Sequence, residues 1–461
     1  MRQISGITSV LMSGLMLFAT APGHAVPAAG ASPGVGGGGH ESYLHVPMPP
    51  GFRVEMSELD GPVFADAHGK TLYYWPLTTM RNGITGDPKN SSACTDVATT
   101  KTAGLMSPYP PGLNLPELDK RQSCTSEWPP DYASDDAKPV GDFTIITRKD
   151  GKKQWAYDGH ALYTSIIDKM PGDVRAATTG EHGGDGPAAR EVATPPPAIP
   201  PGFSIVSTTL GRQLLTDKQY SIYSSDRDGP DKSTCDVNCA VTWTPIIAPE
   251  AAQAVGEWSI FERSPGIRQW AFRKHPLYAY ELDFNTRSLQ GNDVEGWHAV
   301  YTQSAPALPK DFTRQDSESG VVLADAHGKT IYTYHCADDS ADQLACDQPE
   351  SPQAYRLAIC GGGDVDRCLR DWPYVAAGPG AAGTSRTWSV LEIDPRSGHP
   401  AASGQQGALR VWAYRGVPVY TYVGDTNPGD INGNGNGEFG GSRNGFKAFF
   451  LRDDFFSNNA R

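Results

Sequence analysis

The sequence predicts an all-β protein of three tandem antiparallel modules, and three observations carry that prediction. A short phrase recurs as Gln154-Trp155-Ala156-Tyr157, Gln269-Trp270-Ala271-Phe272 and Val411-Trp412-Ala413-Tyr414. Each Trp is followed eight residues later by a Tyr (Tyr163, Tyr278, Tyr420) and thirteen later by an Asp (Asp168, Asp283, Asp425). A Cys-x-x-x-Trp precedes each phrase, at Cys124/Trp128, Cys239/Trp243 and Cys368/Trp372. The two Trp residues of each copy stand 27, 27 and 40 residues apart. Shared spacing marks copies of one folded unit, with a longer insertion in the third. The 51 Gly and 38 Pro, among few long apolar runs, favour short strands joined by many turns.

Each unit opens on a Pro with a Phe three residues on: Pro49/Phe52, Pro200/Phe203 and Pro309/Phe312. These anchors give modules over 44–180, 200–303 and 309–456, with linkers at 181–199 (which contains Pro195-Pro196-Pro197) and 304–308. A hairpin follows, its turn written Asp66-Ala67-His68-Gly69 in the first unit and Asp325-Ala326-His327-Gly328 in the third. Asp at the first turn position and Gly at the fourth fit a type I turn with a Gly-relieved bulge. The next strand places Tyr73 with Trp75, and Tyr332 with Tyr334, on one face by period two. A variable Cys-bearing loop leads to Cys-x-x-x-Trp. An apolar strand, the Trp-Ala strand and a Leu/Val-Tyr strand complete the second half. Almost nothing reads as helix. Each half-unit thus holds three or four strands, giving separate modules or, alternatively, six half-units closed as a propeller.

Residues 1–25 read as a secretory signal peptide, with Arg2, an apolar stretch and Gly23-His24-Ala25 at the cleavage point. Residues 26–43 read as a flexible Gly/Ala/Pro leader. The destination is periplasmic or secreted, with no membrane span. About 435 residues then remain, more than one ordinary core holds. A net charge of −13 without a Lys/Arg cluster argues against nucleic acid as a partner, leaving an envelope or extracellular ligand or protein.

The motifs Tyr278-x-Tyr280-x-x-Asp283 and Tyr420-x-Tyr422-x-x-Asp425 occur with Asp-Ala-His-Gly-Lys-Thr, Cys-x-x-x-Trp and Gln-Trp-Ala-[Tyr/Phe]. In that combination the chain resembles the bacterial secreted-repeat family, predicted lipoproteins with a Tyr-x-[Phe/Trp/Tyr]-x-x-Asp motif. The resemblance covers all three units and implies export and a β-rich module, but no reaction. No Cys precedes Cys94, so the lipid attachment of that family is not expected, and Ser165 replaces the second aromatic in the first unit.

The repeated Trp, Tyr and Asp are read first as scaffold: aromatics alternating with Ala on strands, and an Asp beside a turn. The eight Cys are expected as disulfides: Cys94–Cys124, Cys235–Cys239, and two bridges among Cys336, Cys346, Cys360 and Cys368. The competing reading of Cys235/Cys239 is a copper or redox site assisted by His. His68, His327, His160 and His275 are read as turn or strand residues, with a His-lined metal site as the alternative. Asp430, Asn432, Asn434 and Glu438 match the front of a calcium loop, although Gly441 stands where the last acidic ligand belongs, and Ca²⁺ is the one cofactor they suggest. A turn with no cation is the competing account. No Walker, His-Glu-x-x-His or haem-attachment motif is present. The function expected is binding or interaction at the cell envelope, ahead of copper or redox handling and of a glycan-active enzyme using the repeated Asp.

Overall fold

The computed structural model describes residues 39–75, 79–80, 84–85, 88–97, 123–177, 191–336, 354–362, 364–437, 440 and 444–454. The signal region, most of the leader, Cys346 and Glu438 lie outside them. The first unit contains β1 (Arg53–Ser57), β2 (Gly61–Ala65), β3 (Tyr73–Tyr74), β4 (Thr79–Met80), β5 (Ile84–Thr85), α1 (Cys124–Glu127), β6 (Phe143–Thr147), β7 (Lys153–Tyr157), β8 (His160–Ala161) and β9 (Glu191–Val192). The second contains β10 (Phe203–Thr208), β11 (Gly211–Thr216), β12 (Tyr223–Ser225), α2 (Cys239–Thr242), β13 (Trp243–Pro245), β14 (Trp258–Ser264), β15 (Ile267–Phe272), β16 (His275–Pro276), β17 (Tyr278–Tyr280), β18 (Trp297–Ala299) and β19 (Tyr301–Ser304). The third contains β20 (Thr313–Ser317), β21 (Gly320–Ala324), β22 (Tyr332–Cys336), α3 (Ala354–Gly361), α4 (Val365–Asp371), β23 (Trp388–Ile393), β24 (Leu409–Tyr414), β25 (Val417–Pro418), β26 (Asn444–Ala448) and β27 (Phe450–Asp453).

One antiparallel frame recurs. The opening hairpins are β1–β2, β10–β11 and β20–β21. The aromatic strand then pairs with a closing strand from the far end of its unit, as Tyr73↔Val192, Tyr223↔Ala299 and Tyr332↔Ala448. The residue after each closing partner returns to the hairpin: Ala193, Val300 and Phe449 accept from Phe64, Leu214 and Leu323 at 2.8, 2.9 and 2.9 Å. The Trp-Ala strand is the centre of a three-stranded sheet in every unit: β6-β7-β8, β14-β15-β16 and β23-β24-β25. Burying aromatics on one face and Ala on the other gives each unit two cores rather than one. In one of them the opening Phe meets the repeated Trp, with ring centres 5.8 Å apart for Phe52/Trp155, 5.9 Å for Phe203/Trp270 and 5.4 Å for Phe312/Trp412. Edge-on aromatic pairs at these separations favour one packing arrangement.

Three expectations are corrected. Residues 191–199, read as the end of a Pro-rich linker, include the closing strand β9 of the first unit, and Ala193 is fully buried. Edge strands tolerate the neighbouring Pro residues, whose missing N–H groups are not needed there. The end of the leader is also fixed: Glu41 is buried and paired with Arg212 of the second unit at 2.9 Å. Helix is sparse, as expected, and confined to short segments. Cys-x-x-x-Trp is one helical turn, in which the Cys carbonyl accepts from the Trp N–H (2.7 Å for Cys124/Trp128, 2.8 Å for Cys368/Trp372), as the spacing of four requires. The insertion in the third unit adds α3 and α4, the latter N-capped by Asp364.

Last, the modules are not independent beads. Gln303 of the second unit donates to the Ser57 and Glu58 carbonyls of the first at 2.6 and 3.0 Å. Arg415 of the third pairs with Asp60 of the first at 3.1 Å. Thr209 of the second donates to the Phe450 carbonyl of the third at 2.9 Å. Leu59, at a first-unit hairpin tip and 1% exposed, packs into a third-unit core with Leu308 from the short connection. Each unit therefore touches both others. Among the described residues no helix is long and apolar enough to cross a membrane.

Candidate functional site

The repeated Asp is the end point of a clamp joining the two halves of each unit. Asp168, Asp283 and Asp425 are buried, and each accepts a hydrogen bond from the tyrosine of the aromatic strand: Tyr73 at 2.6 Å, Tyr223 at 2.7 Å and Tyr332 at 2.7 Å. Seven residues beyond the Asp a backbone N–H donates to its other oxygen, from Arg175 to Asp168 at 3.0 Å and from Asn432 to Asp425 at 2.9 Å. The hydroxyl before the aromatic strand bonds the carbonyl five residues beyond the Asp: Thr71 to Asp173 at 2.6 Å, Thr330 to Asp430 at 2.7 Å, and Ser221 to Ser288. The lysine of the Asp-Ala-His-Gly-Lys turn also reaches this segment, from Lys70 to the Asp168 carbonyl and from Lys329 to that of Asp425 at 3.3 Å. Within the turn, Asp66 and Asp325 each accept two backbone N–H groups, while His68 and His327 are exposed.

The electrostatics follow from burial. Desolvation pushes the Asp168 carboxyl up to about 7 and that of Asp283 up to about 6, against the lowering effect of the Tyr bond; Asp425 is raised for the same reason. Burial, reinforced by the facing Asp, holds the Tyr73, Tyr223 and Tyr332 hydroxyls protonated well above the ordinary tyrosine range. Perturbed carboxyls often mark active sites. Here each is already bonded to its own unit, and the Asp five residues on, Asp173 or Asp430, adds to the upward push on Asp168 and Asp425.

The motif tyrosines Tyr163, Tyr278 and Tyr420 close a second buried cluster. Arg148 donates to Gln154 at 2.7 Å, to Ser92 at 2.9 Å and to the Cys94 carbonyl at 2.7 Å, and Ser92 shares a 2.7 Å bond with the Tyr163 hydroxyl. The second unit repeats this: Arg263 reaches Gln269 at 3.0 Å, Ser233 at 2.6 Å and the Cys235 carbonyl, and Ser233 lies 2.7 Å from the Tyr278 hydroxyl. In the third unit Val411 replaces the Gln, and the cation arrives from α3 instead, with Arg356 centred 5.7 Å from the rings of both Tyr374 and Tyr420. These arginines were missed in the sequence, although Arg148 and Arg263 both stand seven residues before the repeated Trp. They tie the variable Cys loop to the constant frame.

The Cys pairs are bridged as Cys94–Cys124, Cys235–Cys239 and Cys360–Cys368. The pairing of Cys336 and Cys346 falls outside what is described. The Cys-loop Trp residues lie beneath. Trp243 stacks on Trp297 and Trp372 on Phe446, both at 3.7 Å, and the second motif aromatics Tyr280 and Tyr422 cover them at 4.3 and 4.5 Å. Where the first unit has Ser165, Trp75 takes the aromatic place, 5.3 Å from Trp128 and 4.6 Å from Tyr163. His160 is buried against Tyr74, and burial lowers its pKa. Among the described residues no three His, Cys, Asp or Glu side chains are grouped to hold a metal.

Of the residues expected to ligate calcium, Glu438 lies outside the described residues, and Asp430, Asn432 and Asn434 each bond within the protein. Asp430 Oδ2 accepts from the Thr426 and Asn427 backbone N–H groups at 2.9 and 2.8 Å. Asp173 does the same for Lys169 and Met170 at 3.0 and 2.9 Å in the first unit. Asn432 donates its amide to the Gly424 carbonyl at 3.0 Å, and Asn434 accepts from Ala448 N–H at 3.1 Å. Asn292 accepts from Ala299 N–H at 2.6 Å, so Gly291-Asn292 is the second unit's counterpart of Gly433-Asn434. The Asn/Gly run is therefore partly shared frame. Gly433 is needed because a Cβ there would lie 2.6 Å from Trp372, and Gly291 because one would lie 2.6 Å from Tyr223.

The fold and these clamps define an all-β, disulfide-bonded repeat protein. A family model described as a secreted repeat of unknown function matches this chain twice, at residues 144–184 and 404–444. The count by that comparison is two rather than the three expected; the middle unit is unmatched, although its strand pairings and clamp follow the same plan. Neither the curated proteins nor the solved structures give a match.

Proposed function

We propose that the protein is an exported binding protein, periplasmic or released from the cell, whose repeat motif maintains the fold and performs no chemistry. One observation carries this reading. The Asp of each of the three motif copies is buried and accepts a hydrogen bond from the aromatic-strand tyrosine of its own unit. The parts left to meet a ligand are the Cys loops and the seams between units, which differ from copy to copy, as recognition surfaces on a constant scaffold do. Disulfides suit the oxidising compartments that export reaches.

The test is purification from the exported fraction, followed by thiol titration, elemental analysis and a thermal-shift screen of acidic and neutral sugars, organic acids and short peptides. The expected result is no titratable thiol, no stoichiometric metal, and a saturable shift by a ligand recovered unchanged. Stoichiometric copper, or conversion of the ligand, would overturn the reading.

A further inference from the structure

Between the first and third units lies a cleft of about 200 Å³, formed by a hairpin tip and the Asp168 turn on one side and by residues around Arg386 and Arg415 on the other. Its lining has four cations, Lys169, Arg175, Arg386 and Arg415, against two carboxylates, Glu58 and Asp173, in a chain whose net charge is −13. The cations are not equivalent. Arg386 lies 3.3 Å from Asp173 and 3.8 Å from Glu58, and Arg415 lies 3.1 Å from Asp60. Lys169 and Arg175 instead donate to the Ile166 and Ile167 carbonyls at 2.9 and 3.3 Å, and among the described residues neither has an ion-pair partner. The Arg175 Nε is buried and meets no acceptor among the described residues. Its guanidinium lies over Gly416, where a Cβ would come within 2.9 Å of the Arg175 Cζ.

A buried donor without an acceptor is costly, and a guanidinium edge matches the geometry of a carboxylate. Met170 supplies an apolar wall beside these cations. Pockets for drug-sized molecules begin at roughly 300 Å³, so this cleft suits a smaller guest. We propose that it binds a small organic carboxylate, with the acid group on Arg175 and Lys169 and its carbon body against Met170. This deepens the non-catalytic binding reading and rests on it.

The test is calorimetric titration of the full chain with succinate and with galacturonate at low ionic strength, with galactose as the neutral control and sulfate as competitor. We expect one saturable site for at least one acid, none for galactose, and about tenfold weaker binding in Arg175→Gln, the scale of one charge-assisted hydrogen bond. The exposed Lys169→Gln, which leaves the clamp intact, should weaken binding as well, and the exposed Lys149→Gln should not. Absence of saturable binding by either acid, or binding unchanged in Lys169→Gln, would overturn the proposal. So would sulfate competing as strongly as the acids themselves, which would make the site one for inorganic oxyanions. Failure of the non-catalytic reading is distinguishable, because it would appear in NMR spectra as conversion of the bound acid.

Discussion

The turns after Asp168 and Asp425 have the same backbone bonds and different faces. In both, a second Asp five residues on, Asp173 or Asp430, accepts two N–H groups of the turn, and a Thr from the hairpin bonds its carbonyl. In both, the N–H seven residues on bonds the buried Asp. The side chains carried at matching positions are Lys169, Met170 and Arg175 in the first unit and Thr426, Asn427 and Asn432 in the third. The first set lines a seam with another unit, whereas Thr426, Asn427 and Asn432 are exposed. The repeat thus fixes where a turn runs and leaves free what it displays. A motif can recur because it holds the frame, while function resides in the residues between its letters.

The sharpest way to break the frame is Asp168→Ala. It strands the Tyr73 hydroxyl and the Arg175 N–H in a buried site and leaves a small void, so a loss of about 3 kcal/mol or more is expected from urea denaturation. A loss below about 1 kcal/mol would show that the clamp does not hold the unit. Gly433→Ala attacks the same frame by overpacking, since its Cβ would sit 2.6 Å from Trp372, and about 1–3 kcal/mol should be lost. Asp173→Lys would test the display side, but it also removes the cap, so the comparison is cleaner with substitutions at Lys169.

The clamp also makes stability depend on pH. Asp168 and Asp283 hold their protons to about 7 and about 6 in the folded state, against an ordinary value of 3.8. Because the folded state binds these protons more tightly than the unfolded chain, their contribution is fully present below about pH 4 and is lost as pH rises through 6 to 7. Each group adds a slope of at most about 1.4 kcal/mol per pH unit in that window. Urea midpoints should fall between pH 5 and pH 8, and Asp168→Asn should flatten part of that fall; an unchanged slope in the variant would exclude Asp168 as its source. The smallest effect belongs to Asp430→Ala. Losing an exposed turn cap should cost less than about 1 kcal/mol, by the same amount in calcium and in chelator. A melting shift seen only in calcium would support the cation reading of that loop.

Much of the frame was legible because it follows spacing. Period two placed the aromatics of Tyr73 and Tyr332, and four-residue spacing identified each Cys–Trp pair, although its helical turn was not recognised. The first unit's closing strand was hidden because Glu191-Val192-Ala193 is short and followed by Pro, so composition spoke louder than pairing. The Asn/Gly run shows the opposite case. Its alternating oxygens match a calcium loop, yet Asn434 serves a backbone N–H just as Asn292 does, a correspondence visible as Gly-Asn eight and nine residues after the motif Asp in both units. The cluster arginines show a limit of a different kind. Arg148 and Arg263 share a register with the repeated Trp, but Arg356 reaches the equivalent place from an inserted helix, and no linear spacing connects it to the others. The seams between units depend on residues far apart in sequence, such as Glu41 with Arg212 and Asp60 with Arg415.

The separation of frame from face is tested most directly by measuring unfolding free energy and carboxylate affinity together on two variants of the full chain. Asp283→Asn touches the second unit's clamp alone, and Lys169→Gln touches the cleft alone. The account predicts that the first loses stability and keeps the affinity of the unaltered protein, while the second keeps stability and loses affinity. Loss of carboxylate binding in Asp283→Asn while the protein remains folded would contradict it, because the motif would then belong to the binding machinery and not only to the scaffold.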